Sequence, residues 1–163
     1  MGLDLCRIER IRRSVDRFGK DWLDEVFNED EQSRLGGGDR RAQLAAVGFA
    51  VKEACSKAIG TGFAVGVRRQ DFVTLLDGDH CSVSLTGAAR LRAARLCSAP
   101  VCPHLSVVFR SSDMWVTTVA VLATEALEAD ILSDHLRLPV AQRRPGPGRR
   151  PSARRGSATP RRE

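Results

Sequence analysis

Residues 41 to 59 carry the longest helical periodicity in the chain, and it stops at Gly60-Thr61-Gly62. At about 100° per residue, with Glu53 set to 0°, Ala54, Val47, Ala58, Val51 and Cys55 fall between about 100° and 200°. That arc is a core face, and a helix of this length needs a sheet or other helices to cover it. Lys57 falls at about +40°, Gly60 at about −20°, Phe49 at about −40° and Ser56 at about −60°. The spacing therefore predicts a second face that presents Glu53, Ser56 and Lys57 together, near the glycine end of the helix. The choice of lysine there is unusual, because the chain has 26 Lys+Arg and only Lys20, Lys52 and Lys57 are lysines. A compact ammonium is wanted close to Glu53.

The remaining pattern predicts an α+β architecture, helices first and an antiparallel sheet later. Met1 to Cys6 reads as a short strand ending near Asp4, and Arg7 to Phe18 as an amphipathic helix with Arg10, Arg13 and Arg17 outside. Trp22, Leu23, Val26 and Phe27 should pack beneath a short helix that starts with Asn28 as N-cap and Glu31 at the third position. That helix ends at Gly36-Gly37-Gly38. Beyond Gly62 the period becomes two: residues 71–76 and 81–85 form a hairpin across Asp77-Gly78-Asp79. Thr86 caps a helix over 88–97. Strands His104–Phe109 and Trp115–Ala123 follow, joined at Ser111-Ser112-Asp113, the second apolar enough to be central. A last helix is expected over 125–135.

Net charge, +6 over 163 residues, would suggest a nucleic-acid binder until it is located. Residues 137–163 contribute +8, leaving −2 for residues 1–136. The chain thus divides into one folded domain, 1–136, and an Arg/Pro/Gly-rich tail, 137–163, that cannot bury enough apolar surface to order itself. No apolar run is long enough to span a bilayer and the N-terminus lacks a secretory h-region, so a cytoplasmic protein is expected. The cysteines, Cys6, Cys55, Cys81, Cys97 and Cys102, are odd in number and contain no CxxC, which indicates neither a disulfide framework nor a zinc knuckle. Most are expected to be buried.

The residues able to carry chemistry reduce to Asp4 and the Glu53/Lys57 face. Two carboxylates suit a hard divalent ion that keeps most of its waters, and a lysine one turn away can meet a phosphate as a point charge. The same spacing also fits a plain i,i+4 surface pair between Glu53 and Lys57, worth about 0.3–0.5 kcal/mol.

Gly2-Leu3-Asp4 with Glu9-Arg10-Ile11, and then Phe49-Ala50-Val51-Lys52-Glu53-Ala54-Cys55-Ser56-Lys57-Ala58-Ile59-Gly60-Thr61-Gly62, resemble the two signature segments of the holo-[acyl-carrier-protein] synthase family, the small 4′-phosphopantetheinyl transferases. The second segment fits F-A-x-K-E-A-x-S-K-A-x-G-T-G at every fixed position, and the likeness continues through Gln70-Asp71-Phe72 and His104-Leu105-Ser106. The resemblance implies a helix-on-sheet phosphopantetheinyl transferase fold. It implies transfer of the phosphopantetheine arm of coenzyme A to a serine of an apo acyl carrier protein of fatty acid or polyketide synthesis, dependent on Mg²⁺ and releasing adenosine 3′,5′-bisphosphate. Asp4 and Glu53 match the metal ligands and Lys57 the pyrophosphate contact, with Glu53 and Lys57 the catalytic pair. Gly60, Gly62, His104 and Ser106 match the coenzyme A pocket. Arg10 matches the carrier-protein contact, which Arg13 and Arg17 would extend on the same helix. The family assembles as homotrimers with sites at subunit interfaces.

This chain departs from the family pattern in three places. Gly48 stands where an arginine serving a coenzyme A phosphate is usual, Val108 and Phe109 replace polar residues after His104-Leu105-Ser106, and the first strand, which in the family begins several residues before Gly-x-Asp, is expected to be short here or its start misplaced. Those departures motivate a second function, a silent trimer that binds coenzyme A or carrier protein without transfer. The tail motivates a third, salt-sensitive nucleic-acid binding confined to residues 137–163.

Overall fold

The computed structural model describes residues 1–97 and 102–124. The expected last helix over 125–135, the domain limit at residue 136 and the tail lie outside the described residues. Within them the elements run β1 (Gly2–Arg7), α1 (Ile8–Val26), α2 (Glu29–Arg34), α3 (Gly38–Ala58), β2 (Phe72–Asp77), β3 (His80–Leu85), α4 (Gly87–Leu96), β4 (His104–Ser111) and β5 (Trp115–Ala123). The α+β reading holds. A three-stranded antiparallel sheet has the order β1-β5-β4, with the apolar strand β5 at its centre, and the β2-β3 hairpin forms a separate two-stranded sheet.

The long helix α3 lies across this sheet, and its burial is greater than an amphipathic reading allows. Ala45, Ala46, Ala50, Val51, Ala54 and Cys55 are fully enclosed, and so are Lys52 and Ser56. The sheet covers one side while α1 and β2 cover others. The small side chains let these layers come close. At Gly2 a Cβ would fall 2.0 Å from the Ala54 carbonyl oxygen and 2.6 Å from the Ala58 nitrogen, so β1 rests directly on the α3 backbone. That contact places Asp4, two residues along β1, beside the last turn of α3.

Several boundaries differ from expectation for identifiable reasons. Helix α1 does not stop near Phe18 but continues to Val26 through a kink at Gly19, where φ is 53° and ψ −124°. Trp22, Leu23 and Val26 thus belong to α1 itself. The capping box of α2 forms as expected: Glu31 N donates to Asn28 Oδ1 at 2.8 Å and Asn28 N to Glu31 Oε2 at 2.9 Å. Thr86 occupies the N-cap of α4, but its hydroxyl donates to the Asp71 carbonyl at 3.3 Å instead of capping the helix. Only Cys6 and Cys55 are buried; Cys81 and Cys97 are half-buried, Cys102 is exposed, and all five are free thiols. No helix of the described residues is long and apolar enough to cross a membrane.

Candidate active site

The site is built where β1 meets the C-terminal end of α3. Lys57, in the last turn of α3, reaches across to β1: its Nζ donates to Asp4 Oδ1 at 2.7 Å and to the Leu3 carbonyl at 3.0 Å. Lys57 is therefore not the i,i+4 partner of Glu53, because the nearer carboxylate comes from another element. Glu53 pairs instead with Arg69, whose Nη2 stands 3.2 Å from Glu53 Oε1. Both acids are sheltered without being sealed off, Asp4 with 15% and Glu53 with 20% of its side chain exposed.

Cys6 reports how closely these groups converge. It follows Asp4 on the same face of β1, and burial pushes its thiol up to about 11. Arg10 opposes that rise, while the fields of Asp4 and Glu53 add to it. Asp4, Glu53 and Arg10 thus all act electrostatically on Cys6. Hard-oxygen donors of this kind suit a divalent cation that retains several waters. No group of three or more His, Cys, Asp or Glu side chains that could cage a metal occurs among the described residues, and the two carboxylates fit the ion that needs the fewest protein ligands.

Helix α3 ends as its glycines require. Gly60 adopts φ 75° and Gly62 φ 57°, and Gly62 N donates to the Ser56 carbonyl at 3.2 Å. Gly60 and Thr61 form one wall of a cleft of about 520 Å³ whose other wall carries Arg92 and Arg95 of α4. Ser56, expected on the open face, is instead wholly buried, its hydroxyl donating to the Glu53 carbonyl at 2.8 Å.

His104 and Ser106 are not brought to this cluster within one chain. In the sheet register Asp4 lies opposite Thr118, whereas His104 lies opposite Ala123 and Ser106 opposite Val121. The five-residue offset of His104 corresponds to about 17 Å along the strands. Strand alternation also puts both residues on the sheet face that carries the exposed Leu3 and Leu5, away from α3.

The arginines of α1 form a separate surface. Arg7, Arg10, Arg13 and Arg17 line an open groove together with Glu9, Ser14 and Phe18. Arg10 lies over the Phe49 ring at 5.3 Å, Arg13 bonds Glu9 at 2.9 Å, and Arg17 covers Phe18 at 5.1 Å.

Two functional neighbours escape sequence reasoning. Arg69 follows a loop of no regular pattern, so nothing in its spacing announces a partner on α3. Lys52 was readable in principle, since at about −100° on the helical wheel it lies between Phe49 and Cys55, inside the core. Its partner Glu31 gives no such signal, because its position in the chain already accounts for it as a capping residue.

The residue Gly48 has a packing explanation. A Cβ there would come within 2.7 Å of Phe27 Cε1, so the Phe27 ring occupies the space a side chain would need.

Comparison with known proteins identifies the family. The family model of the 4′-phosphopantetheinyl transferase superfamily matches residues 1–119, which defines the class: an enzyme that transfers a phosphopantetheinyl group. Among curated relatives, the holo-[acyl-carrier-protein] synthase of Rhodopseudomonas palustris strain BisB5 is 36% identical over 134 residues, covering 79% of this chain and 95% of the relative. That of Methylobacterium nodulans is 44% identical over 112 residues, covering 66% and 80%. The chain belongs to the holo-[acyl-carrier-protein] synthase family. The fold is likewise that of the Helicobacter pylori holo-[acyl-carrier-protein] synthase solved in complex with coenzyme A, with a TM-score of 0.62 at 22% identity, covering 75% of this chain and 98% of that one.

Proposed function

We infer that the chain moves the 4′-phosphopantetheine group of coenzyme A onto a serine of an apo acyl carrier protein and releases adenosine 3′,5′-bisphosphate. The observation that carries this reading is the contact of Lys57 with Asp4 where β1 meets the last turn of α3, one turn beyond Glu53, in a chain of this family. In the step, the serine oxygen forms a bond to the phosphorus bearing the pantetheine arm. The bond from that phosphorus to the bridging oxygen breaks, the bisphosphate leaves with the electron pair, and the serine proton passes to a base or to water.

Asp4 and Glu53 would hold Mg²⁺, which when bound supplies charge neutralisation at the pyrophosphate. Lys57, about half exposed, can exchange its Asp4 contact for a pyrophosphate oxygen and stabilise the charge that grows on the leaving group. The Gly60–Gly62 turn and its cleft, with Arg92 and Arg95 opposite, suit the nucleotide end of coenzyme A.

His104 and Ser106 take part if a neighbouring copy supplies them, consistent with a homotrimer, in which the apolar sheet face bearing Leu3 and Leu5 would be covered. The arginine groove of α1 fits an acidic carrier protein: charge complementarity raises the encounter rate and weakens with salt. A cytoplasmic location accords with these substrates. Replacing Asp4 by Asn or Glu53 by Gln should each abolish transfer while thermal unfolding stays cooperative. Wild-type turnover in both variants would remove the metal assignment.

A further inference from the structure

Both acids of the site are already engaged by cations, and the second of these cations, Arg69, is held by a specific frame. Its guanidinium lies 4.4 Å from the Phe63 ring centroid and 5.6 Å from that of Phe49. The Nε is buried without an acceptor among the described residues. The two terminal nitrogens divide between two carboxylates: Nη1 on Glu25 at 3.0 Å and Nη2 on Glu53 at 3.2 Å. The guanidinium thus lies against aromatic rings and bridges two carboxylates, between which it can shift its weight. Across the site Lys57 neutralises Asp4 at 2.7 Å. Asp4 and Glu53 are thus each paired with a cation, while Arg69 is shared with a third carboxylate, Glu25.

We propose that Arg69 is a positioning residue that holds Glu53 within this ion-paired cluster, so that a divalent cation is admitted together with the anionic pyrophosphate of the substrate and not ahead of it. The proposal rests on the assignment of Asp4 and Glu53 as the metal-binding pair. A cation arriving alone meets two carboxylates that are already paired, and it must separate both pairs with no new acceptor for the displaced Lys57 ammonium. A pyrophosphate arriving with the cation changes this, because it offers Lys57 a new acceptor. Glu25 retains Arg69 when Glu53 turns to the metal. Glu25 is two-thirds exposed, which makes it a resting place for the charge and not a buried structural anchor.

The test measures Mn²⁺ affinity by the loss of the free-ion paramagnetic resonance signal, with and without coenzyme A, corrected for Mn²⁺ bound by coenzyme A itself. Wild-type protein should bind Mn²⁺ weakly alone and at least about tenfold more tightly with coenzyme A. Arg69→Met, which leaves Glu53 without its cation, should bind Mn²⁺ alone about tenfold more tightly than wild type, so that coenzyme A adds less. Glu25→Ala leaves Arg69 wholly on Glu53 and should weaken Mn²⁺ binding about threefold. An unchanged affinity in Arg69→Met overturns the proposal; should that variant fail to fold, an unchanged affinity in Glu25→Ala does so. Transfer to a carrier protein by the same wild-type preparation is scored separately by mass. Intact transfer with unmoved Mn²⁺ affinities removes the role of Arg69 alone, and absent transfer removes the functional reading instead.

Discussion

Lys52 Nζ lies 2.8 Å from Glu31 Oε2 with both side chains buried, and this pair fastens the central helix to the short helix α2. Both partners make further hydrogen bonds. Lys52 also donates to the Val26 carbonyl at 2.9 Å, and Glu31 Oε1 accepts from Thr74 N at 2.7 Å and Thr74 Oγ1 at 2.6 Å. This one ion pair thus joins α1, α2, α3 and β2.

Lys52→Met should cost about 3–5 kcal/mol in urea unfolding, because it leaves Glu31 charged and unpaired in the interior. Adding Glu31→Gln should recover part of that loss, since the amide oxygen can still accept from Thr74. Burial pushes the Lys52 ammonium below its ordinary range, with Glu31 partly opposing it. Between the folded and unfolded pKa the unfolded chain then holds more protons, so this group's contribution to stability rises with pH and is lost as pH falls through the folded value. The stability of wild type relative to Lys52→Met should accordingly increase towards alkaline pH.

Gly2→Val should be more damaging than its place at the chain end suggests. A Cβ at this position meets backbone atoms of Ala54 and Ala58, which cannot rotate away. Displacing β1 would also separate Asp4 from Lys57. Transfer should fall at least about a hundredfold, with a clear drop in melting temperature. Wild-type activity would show that β1 does not set the site.

Gly48→Ala should destabilise the domain by about 1–3 kcal/mol through its collision with the Phe27 ring. The same change made in a Phe27→Leu background should cost less. Restoring the arginine usual to the family at Gly48 should therefore unfold this chain before it improves coenzyme A binding, which equilibrium unfolding and calorimetry separate.

Thiol labelling of the native protein at pH 8 should begin at exposed Cys102. Burial holds Cys6 up to about 11 and Cys81 up to about 12, and it raises Cys55 further still. Those three should resist maleimide until denaturant is added, as peptide mass mapping would show.

Arg10→Glu should lower kcat/KM for an acidic carrier protein about tenfold or more and flatten its salt dependence. The KM for coenzyme A should stay close to wild type. An equal loss with both substrates would place Arg10 in the nucleotide pocket.

Most of the element order was legible because it depends on local period and punctuation. The almost wholly apolar or β-branched run of residues 115–123 identified a central strand, and Asn28 with Glu31 identified a helix start that forms as read. The boundaries that failed depend on what surrounds them. The spacing around Gly19 could end a helix or kink it, and only packing of Leu23 and Val26 into the core decides for the kink. Helix α3 was given an open face, although sheet, helix and hairpin enclose most of it; no periodicity within one segment reports how many neighbours it will have. At the site, the segment 49–62 pointed to Glu53 and Lys57, but their ion-pair partners come from β1 and from the turn at Arg69, contacts that exist only once the chain is folded.

Intact mass spectrometry of a purified apo acyl carrier protein, incubated with this protein, coenzyme A and Mg²⁺, tests the central claim most directly. The account predicts a single gain of about 340 Da on one serine, the mass of one phosphopantetheine joined by a phosphodiester. It also predicts no gain with Glu53→Gln. An unchanged mass across a panel of fatty acid and polyketide carrier proteins would contradict it.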